Sequence, residues 1–271
     1  MPAVVVDDLI YVVGGLVSGP QGYAATDGVE RYLPGEDRWE ALAALPSPRH
    51  HTMAAAAEGL MYVLGGYGAD GFNPVASSWV YDPNATTWTE ILDLPEAVGA
   101  GAAAAIDGTV YLVGGVPDGT SALAYDPAAN TWTSLAPMSQ PREHFTLAFY
   151  EGELWALGGR WNGVMLDSVE IYDPRAGAWR EGPTMIDARS GFGAAVVGDI
   201  LTVGGGEVFD PTRTLTEVER LIDGVWVPGP VLPLPLHGVP MAAVVDNLYV
   251  IGGSQEAGDV VNSPDTWVLG G

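Results

Sequence analysis

The chain contains neither cysteine nor lysine. Without cysteine there are no disulfides, no thiolate metal ligands and no cysteine nucleophile. Without lysine, arginine is the only strong base, and 10 arginines stand against 34 acidic residues for a formal charge of −24. A field of that sign repels nucleic acid and anionic membranes. The composition fits a salt-adapted protein and equally a GC-rich genome. No apolar run approaches the ~20 residues of a membrane helix. Met1 leads straight into PAVVV, with no basic segment or cleavage site of a leader. A soluble chain without an address is expected, its compartment left open. Met1 falls where a first strand should already be running, so ends cut from a longer protein are expected as well.

What is present is a cadence. IYVVGG, MYVLGG, VYLVGG, LWALGG, LTVGGG and LYVIGG each close an apolar run on two glycines. The first glycines of the aligned pairs are Gly14, Gly65, Gly114, Gly158, Gly205 and Gly252, at intervals of 51, 49, 44, 47 and 47 residues. A period of this length signals a repeat architecture.

Each repeat reads as four short strands. In the second, TMAAAA turns at Glu58-Gly59 into LMYVL, a glycine-rich loop leads to SSWVY, and DPNATT turns into WTEIL. Turn residues that accept positive φ recur between the first two strands, at Asp107-Gly108, Glu151-Gly152, Gly198-Asp199 and Asp246-Asn247. Tyr and Trp stand seven apart across YDPNATTW, YDPAANTW, YDPRAGAW and YLPGEDRW, while the fifth repeat shortens this to Leu221 and Trp226. The small first strands suit crowding at an axis. The aromatics Tyr11, Tyr62, Tyr111, Trp155 and Tyr249, with the outer tryptophans, are expected to fill the wedges between sheets. The glycine pairs should let the backbone leave the strand with unusual dihedrals and let a neighbouring sheet come close.

This pattern resembles the Kelch motif, and six copies resemble a six-bladed Kelch-type β-propeller. An all-β fold of one domain, 1–271, follows from the resemblance, with approximate blades 1-47, 48-95, 96-137, 138-185, 186-236 and 237-271. The last repeat ends at DTWVLGG, so blade six is expected to have three strands.

In such blades the loop before the first strand and the loop after the glycine pair open on one face. Sixteen residues before the first glycine stand Arg49, Arg142 and Arg189, with Val98 and Leu236 in the other two complete repeats, and Arg160 follows Gly159 directly. Four guanidinium groups around one mouth suit carboxylate or phosphate ligands; the competing reading makes them structural, bonding loop carbonyls between blades. His51, His144 and His237 share these loops and join the ligand-binding candidates. His50, Glu143 and Glu207 lie there too, so acid–base chemistry by Glu143, Glu207 and Arg142 is the catalytic alternative. No HxH or HExxH spacing supports a metal, and no cofactor is expected. Asp82, Asp126 and Asp173 read as turn residues, Asp167 and Glu170 as solvent-facing.

Kelch propellers serve as adaptors, enzymes and scaffolds alike. Galactose oxidase is excluded, because its cysteine-linked tyrosine cannot form, and the Glu, Asp, His series of iron-dependent specifier proteins is absent. The expectation is a non-enzymatic binding module, a monomer or part of a larger protein, taking a peptide or small acidic ligand. The enzymatic alternative is a carbohydrate isomerase similar to the sialate mutarotases.

Overall fold

A computed structural model of the chain describes all residues except 20–21, 70, 259–262, 264 and 271. All regular structure among the described residues is strand, and no helix is long and apolar enough to cross a membrane. Contacts group into two compact units, Met1–Pro137 and Met138–Gly271.

The first unit carries three sheets, each in chain order and antiparallel throughout. Blade one is Ala3–Val6, Leu9–Val13, Val29–Leu33 and Arg38–Ala41. Blade two is Met53–Ala57, Leu60–Leu64, Ser78–Asp82 and Thr87–Glu90. Blade three is Ala102–Ile106, Thr109–Val113, Ala122–Asp126 and Thr131–Ser134.

In the second unit, blade four is Thr146–Tyr150, Glu153–Leu157, Val169–Asp173 and Ala178–Glu181. Blade five is Gly193–Val197, Ile200–Gly204, Val218–Ile222 and Val225–Pro228. Blade six is Met241–Val244, Asn247–Ile251 and Thr266–Gly270, three strands among the described residues. The fold class is the all-β, six-bladed propeller that the repeats predict. The long loops hold two-stranded ribbons that the repeat pattern did not announce: Leu16–Gly19 with Gly22–Ala25, Arg160–Trp161 with Val164–Met165, and Glu207–Phe209 with Thr212–Thr214.

The Tyr–Trp spacing has a direct cause. Across the turn between third and fourth strands the two residues become cross-strand partners, Tyr81 with Trp88, Tyr125 with Trp132 and Tyr172 with Trp179. Their rings tilt together at 4.9–5.1 Å, a contact that adds to the area they bury. Asp82, Asp126 and Asp173 close these turns by accepting backbone N–H bonds through Oδ1. Within each unit, indoles of fourth strands then reach back one blade: Trp88 donates to the Ala43 carbonyl, Trp132 to Leu92 and Trp226 to Pro183, at 2.9–3.0 Å.

The glycine pairs form the other joint. Gly65 and Gly66 hold φ of 50° and 95°, and a Cβ on Gly65 would stand 2.5 Å from the Val98 carbonyl of the next blade. The Gly66 N–H donates to that same carbonyl at 2.8 Å, and Gly15 to Arg49, Gly159 to Arg189 and Gly206 to Leu236 do likewise at 2.7–2.8 Å. Side chains are missing here because the neighbouring backbone occupies the space.

Candidate functional site

The residue whose carbonyl receives this bond is the one sixteen before the next glycine pair, the position of the predicted arginines. In the second unit, Arg142 and Arg189 are fully buried. Arg142 donates through Nη1 to the carbonyls of Gly158 at 2.7 Å and Ser168 at 3.0 Å, and through Nη2 to Glu170 at 3.1 Å. Arg189 repeats this with Gly205 at 2.9 Å, Glu217 at 2.8 Å and Glu219 at 2.5 Å. These guanidinium groups tie a blade's own glycine corner to its third strand, bonding within one blade and not between blades.

Glu170, expected to face solvent, is buried instead. Its carboxylate accepts from Ser139 N and Oγ, Gln140 N and Arg142. Burial alone would raise its pKa, but these donors outweigh it and hold the group below the usual carboxylate range. Burial pulls the Arg142 guanidinium below its ordinary value, against the opposing pull of Glu170. Glu219 is bound alike, by Ile186 N at 2.7 Å, Asp187 N at 3.0 Å and Arg189.

In the first unit Arg49 is also buried, but it lies 4.6 Å over the Trp79 ring and bonds Ser47, Pro48 and Ser77. Blade three replaces the pair by Val98 and Leu123 in one apolar cluster, and blade six by Leu236 and Trp267.

What the second unit does gather at its rim is a different subset. One backbone motif presents it: the residue after each arginine position pairs by two backbone hydrogen bonds with the residue after the glycine pair. Glu143 pairs with Arg160, Ser190 with Glu207 and His237 with Ser254. Arg160 Nε donates to Glu143 Oε1 at 2.9 Å, and its Nη1 donates to Glu207 Oε1 at 2.9 Å. Each glutamate also meets an imidazole, Glu143 with His144 and Glu207 with His237, both at 3.3 Å. Gly258 N donates to Glu207 Oε2 at 2.8 Å, and the Arg160 guanidinium lies 5.2 Å over Phe209. Glu207 is buried, while the Arg160 and Glu143 side chains keep 19% exposure and the two histidines 14–16%.

Electrostatics follow from that packing. Burial would raise the Glu143 carboxyl, yet the adjoining His144 and Arg160 hold it at about 2. Burial lowers the His144 imidazole, with Arg160 adding to that and Glu143 opposing it. Both glutamates press on one guanidinium, so these three groups are hydrogen-bonded and net negative rather than cationic. Among the described residues no group of three His, Asp or Glu side chains is placed to hold a metal ion.

The first unit turns the same motif to other chemistry. His50 pairs with Tyr67, and His50, His51, Tyr67 and Phe72 stack with ring centroids 4.9–5.8 Å apart. His50 Nδ1 and His51 Nδ1 are 2.6 Å apart. His51 thus belongs to an aromatic cluster of its own unit.

The buried Arg–Glu corner was the feature missed, although a signal for it exists. Where the third strand carries glutamate, the loop residue three before the arginine has an N–H to donate, Ser139 or Ile186. Where the third strand carries Trp79, Leu123 or Trp267, that loop residue is Pro46, Pro95 or Pro233, which has none.

Residues 1–206 match the family model of the KLHDC2/KLHL20/DRC7 Kelch-repeats domain. Among curated proteins, the chain is 32% identical over 120 residues to the Kelch-like protein terF of Aspergillus terreus, over 42% of this chain and 26% of that protein. It is 36% identical over 91 residues to F-box/kelch-repeat protein At1g67480 of Arabidopsis thaliana, over 34% of this chain and 24% of that protein. The matched regions therefore span about a quarter of these relatives' lengths. A solved chain titled "Structure of YjhT" superposes with a TM-score of 0.86 over 100% of this chain and 94% of that chain at 17% identity, a likeness of fold. The family model covers well over half of a sequence whose six glycine-pair repeats build six antiparallel blades, and the chain belongs to the Kelch-repeat family.

Proposed function

We propose that the chain is a non-enzymatic interaction module whose second unit receives its ligand at the rim formed by Glu143, His144, Arg160, Glu207 and His237. The observation that carries this reading is Arg160. Glutamates from two adjacent blades converge on a partly exposed guanidinium, on loops carried by the blades. With Arg142 and Arg189 committed inside their blades, the acidic-ligand reading narrows to one cation with two carboxylates beside it. The suitable ligand is a peptide or small molecule with one carboxylate for Arg160 and neighbouring hydroxyl or amide donors for Glu143 and Glu207. The protein partners of a Kelch module fit the same surface through such a peptide segment.

Affinity for a panel of short acidic peptides and acidic sugars, measured by calorimetry, tests this. Arg160→Met should weaken the ligand found about tenfold or more, the worth of a charge-assisted hydrogen bond, while Arg49→Met leaves affinity unchanged. Equal affinity of the Arg160 variant would sink the reading.

The two carboxylate–imidazole pairs favour one second reading, a sialate mutarotase-like isomerase at the same rim. A carboxyl held at about 2 is a weak base, so the proton carrier there would be Glu207 or an imidazole. NMR of anomer equilibration in sialic acid decides it: acceleration by the protein, abolished in Glu207→Gln, would establish the enzyme.

A further inference from the structure

Residues 254–258 follow the glycine pair of blade six and lie against the rim of the second unit. Ser254 pairs with His237 by two backbone hydrogen bonds. Beyond it the segment turns, and three polar bonds hold it. Thr214 Oγ1 donates to the Gln255 carbonyl at 2.9 Å, His237 Nε2 to the Glu256 carbonyl at 2.8 Å, and the Gly258 N–H to Glu207 Oε2 at 2.8 Å. A carbonyl only accepts, so His237 carries its proton on Nε2 in this contact.

The last two bonds share a geometry. The Glu256 carbonyl and the Gly258 N–H belong to the two peptide bonds that flank Ala257, so the rim grips main chain on both sides of a single residue. His237 is the donor and Glu207 the acceptor. Ala257 between them is half-buried, whereas Gln255, Glu256 and Gly258 are exposed. Each carboxylate oxygen of Glu207 already holds a donor, Arg160 Nη1 on Oε1 and Gly258 N on Oε2, and the side chain keeps only 4% exposure. A ligand that reaches Glu207 therefore has to take the place of this segment. A surface turn with three of five residues exposed opens locally at low cost.

We infer that residues 254–258 are the resident occupant of a peptide-binding site, and that the partner is a polypeptide segment whose main chain replaces theirs. One carbonyl of the partner takes the His237 Nε2 proton, and the N–H two residues on goes to Glu207 Oε2, with a small residue between them in the place of Ala257. The inference rests on the rim reading above and narrows its ligand to a peptide. Because the closed segment lowers apparent affinity by the fraction of molecules that are open, main chain alone binds weakly. A partner gains over the segment by a further contact, and Arg160, 19% exposed beside Glu207, offers one to an acidic side chain.

The test uses the whole chain and an amidated, N-terminally fluorescein-labelled peptide GSQEAG, the sequence of residues 253–258. Gly258→Pro removes the N–H and cannot hold the φ of 75° found there, so it should release the segment. By anisotropy the peptide should bind Gly258→Pro at least tenfold more tightly than the unaltered chain. A peptide ending in N-methylglycine, which lacks the N–H, should bind that variant at least tenfold more weakly than its parent. On the unaltered chain, saturating peptide should shift the Gly258 amide resonance and speed its hydrogen exchange, a readout that stands if Gly258→Pro does not fold. Equal affinity of the two peptides, equal affinity of the two proteins, no binding, or binding that leaves the Gly258 amide protected would each overturn the inference. Arg160→Met separates it from the rim reading. If acidic ligands keep their affinity in that variant while the two peptides still differ, only the rim reading fails; if acidic ligands are lost and the peptides never differ, only this one does.

Discussion

Within each unit, neighbouring blades are joined by the same backbone bond, but the two units fill the corner behind it in different ways. In the second unit, Arg142–Glu170 and Arg189–Glu219 are buried ion pairs whose glutamates also hold loop N–H groups. In the first, Arg49 stacks on Trp79, and Val98 packs with Leu123, beside loops whose prolines have no N–H to satisfy. An apolar corner needs a loop without donors, and a charged corner needs a loop that supplies them. The choice is made jointly by three positions, so single changes should be costly and concerted ones mild.

The largest effect should therefore come from Glu219→Leu, which takes from the buried Arg189 its carboxylate partner and from the Ile186 and Asp187 N–H groups their acceptor. Chemical denaturation should show a loss of about 3–5 kcal/mol. The triple change Ile186→Pro, Arg189→Val, Glu219→Leu installs the blade-three solution and should recover most of that loss. A triple variant as unstable as the single one would break the comparison.

The joint itself should be equally sensitive in both units. Gly65→Ala and Gly205→Ala place a Cβ 2.5–2.6 Å from a backbone carbonyl at positive φ. Each should lose about 1–3 kcal/mol in thermal or denaturant unfolding. A clear loss in one unit only would show that the joints are not equivalent.

A smaller difference should appear in acid. Glu143 and Glu170 both titrate below the ordinary carboxylate range in the folded protein. Their stabilisation is present above the unfolded pKa of about 4.3 and is lost as pH falls through the folded value, about 2 for Glu143. Stability measured from pH 5 to pH 2 should fall less steeply in Glu143→Gln, by about 1–2 kcal/mol across the window after allowance for solvent screening. An unchanged slope would remove Glu143 from the acid response. Smallest of all, Trp132→Phe keeps the ring and deletes its bond to Leu92, for about 1 kcal/mol in thermal unfolding.

The features legible in the sequence were those set by neighbours along the chain. Gly65-Gly66 needs positive φ, Asp82 closes its own turn, and Tyr81 meets Trp88 because a tight turn of known length separates them. Short-range geometry leaves little freedom, so type and spacing were enough. The rim was partly legible on the same ground: Arg160 and Glu207 follow glycine pairs, and Glu143 and His144 lie in the loops those pairs face.

What the sequence by itself could not determine was the fate of a charge. Arg142 and Arg160 look equally suited to a mouth, yet one is sealed against Glu170 and the other shared between two blades at the surface. Burial depends on which third-strand side chain stands opposite, 28 residues on for Arg142, and on whether the intervening loop has N–H groups to give. Only tertiary packing brings those three positions together, because desolvating a guanidinium is tolerable solely where carboxylate and carbonyls already converge. Local chemistry wrote the blades, and the low dielectric between their strands assigned the arginines.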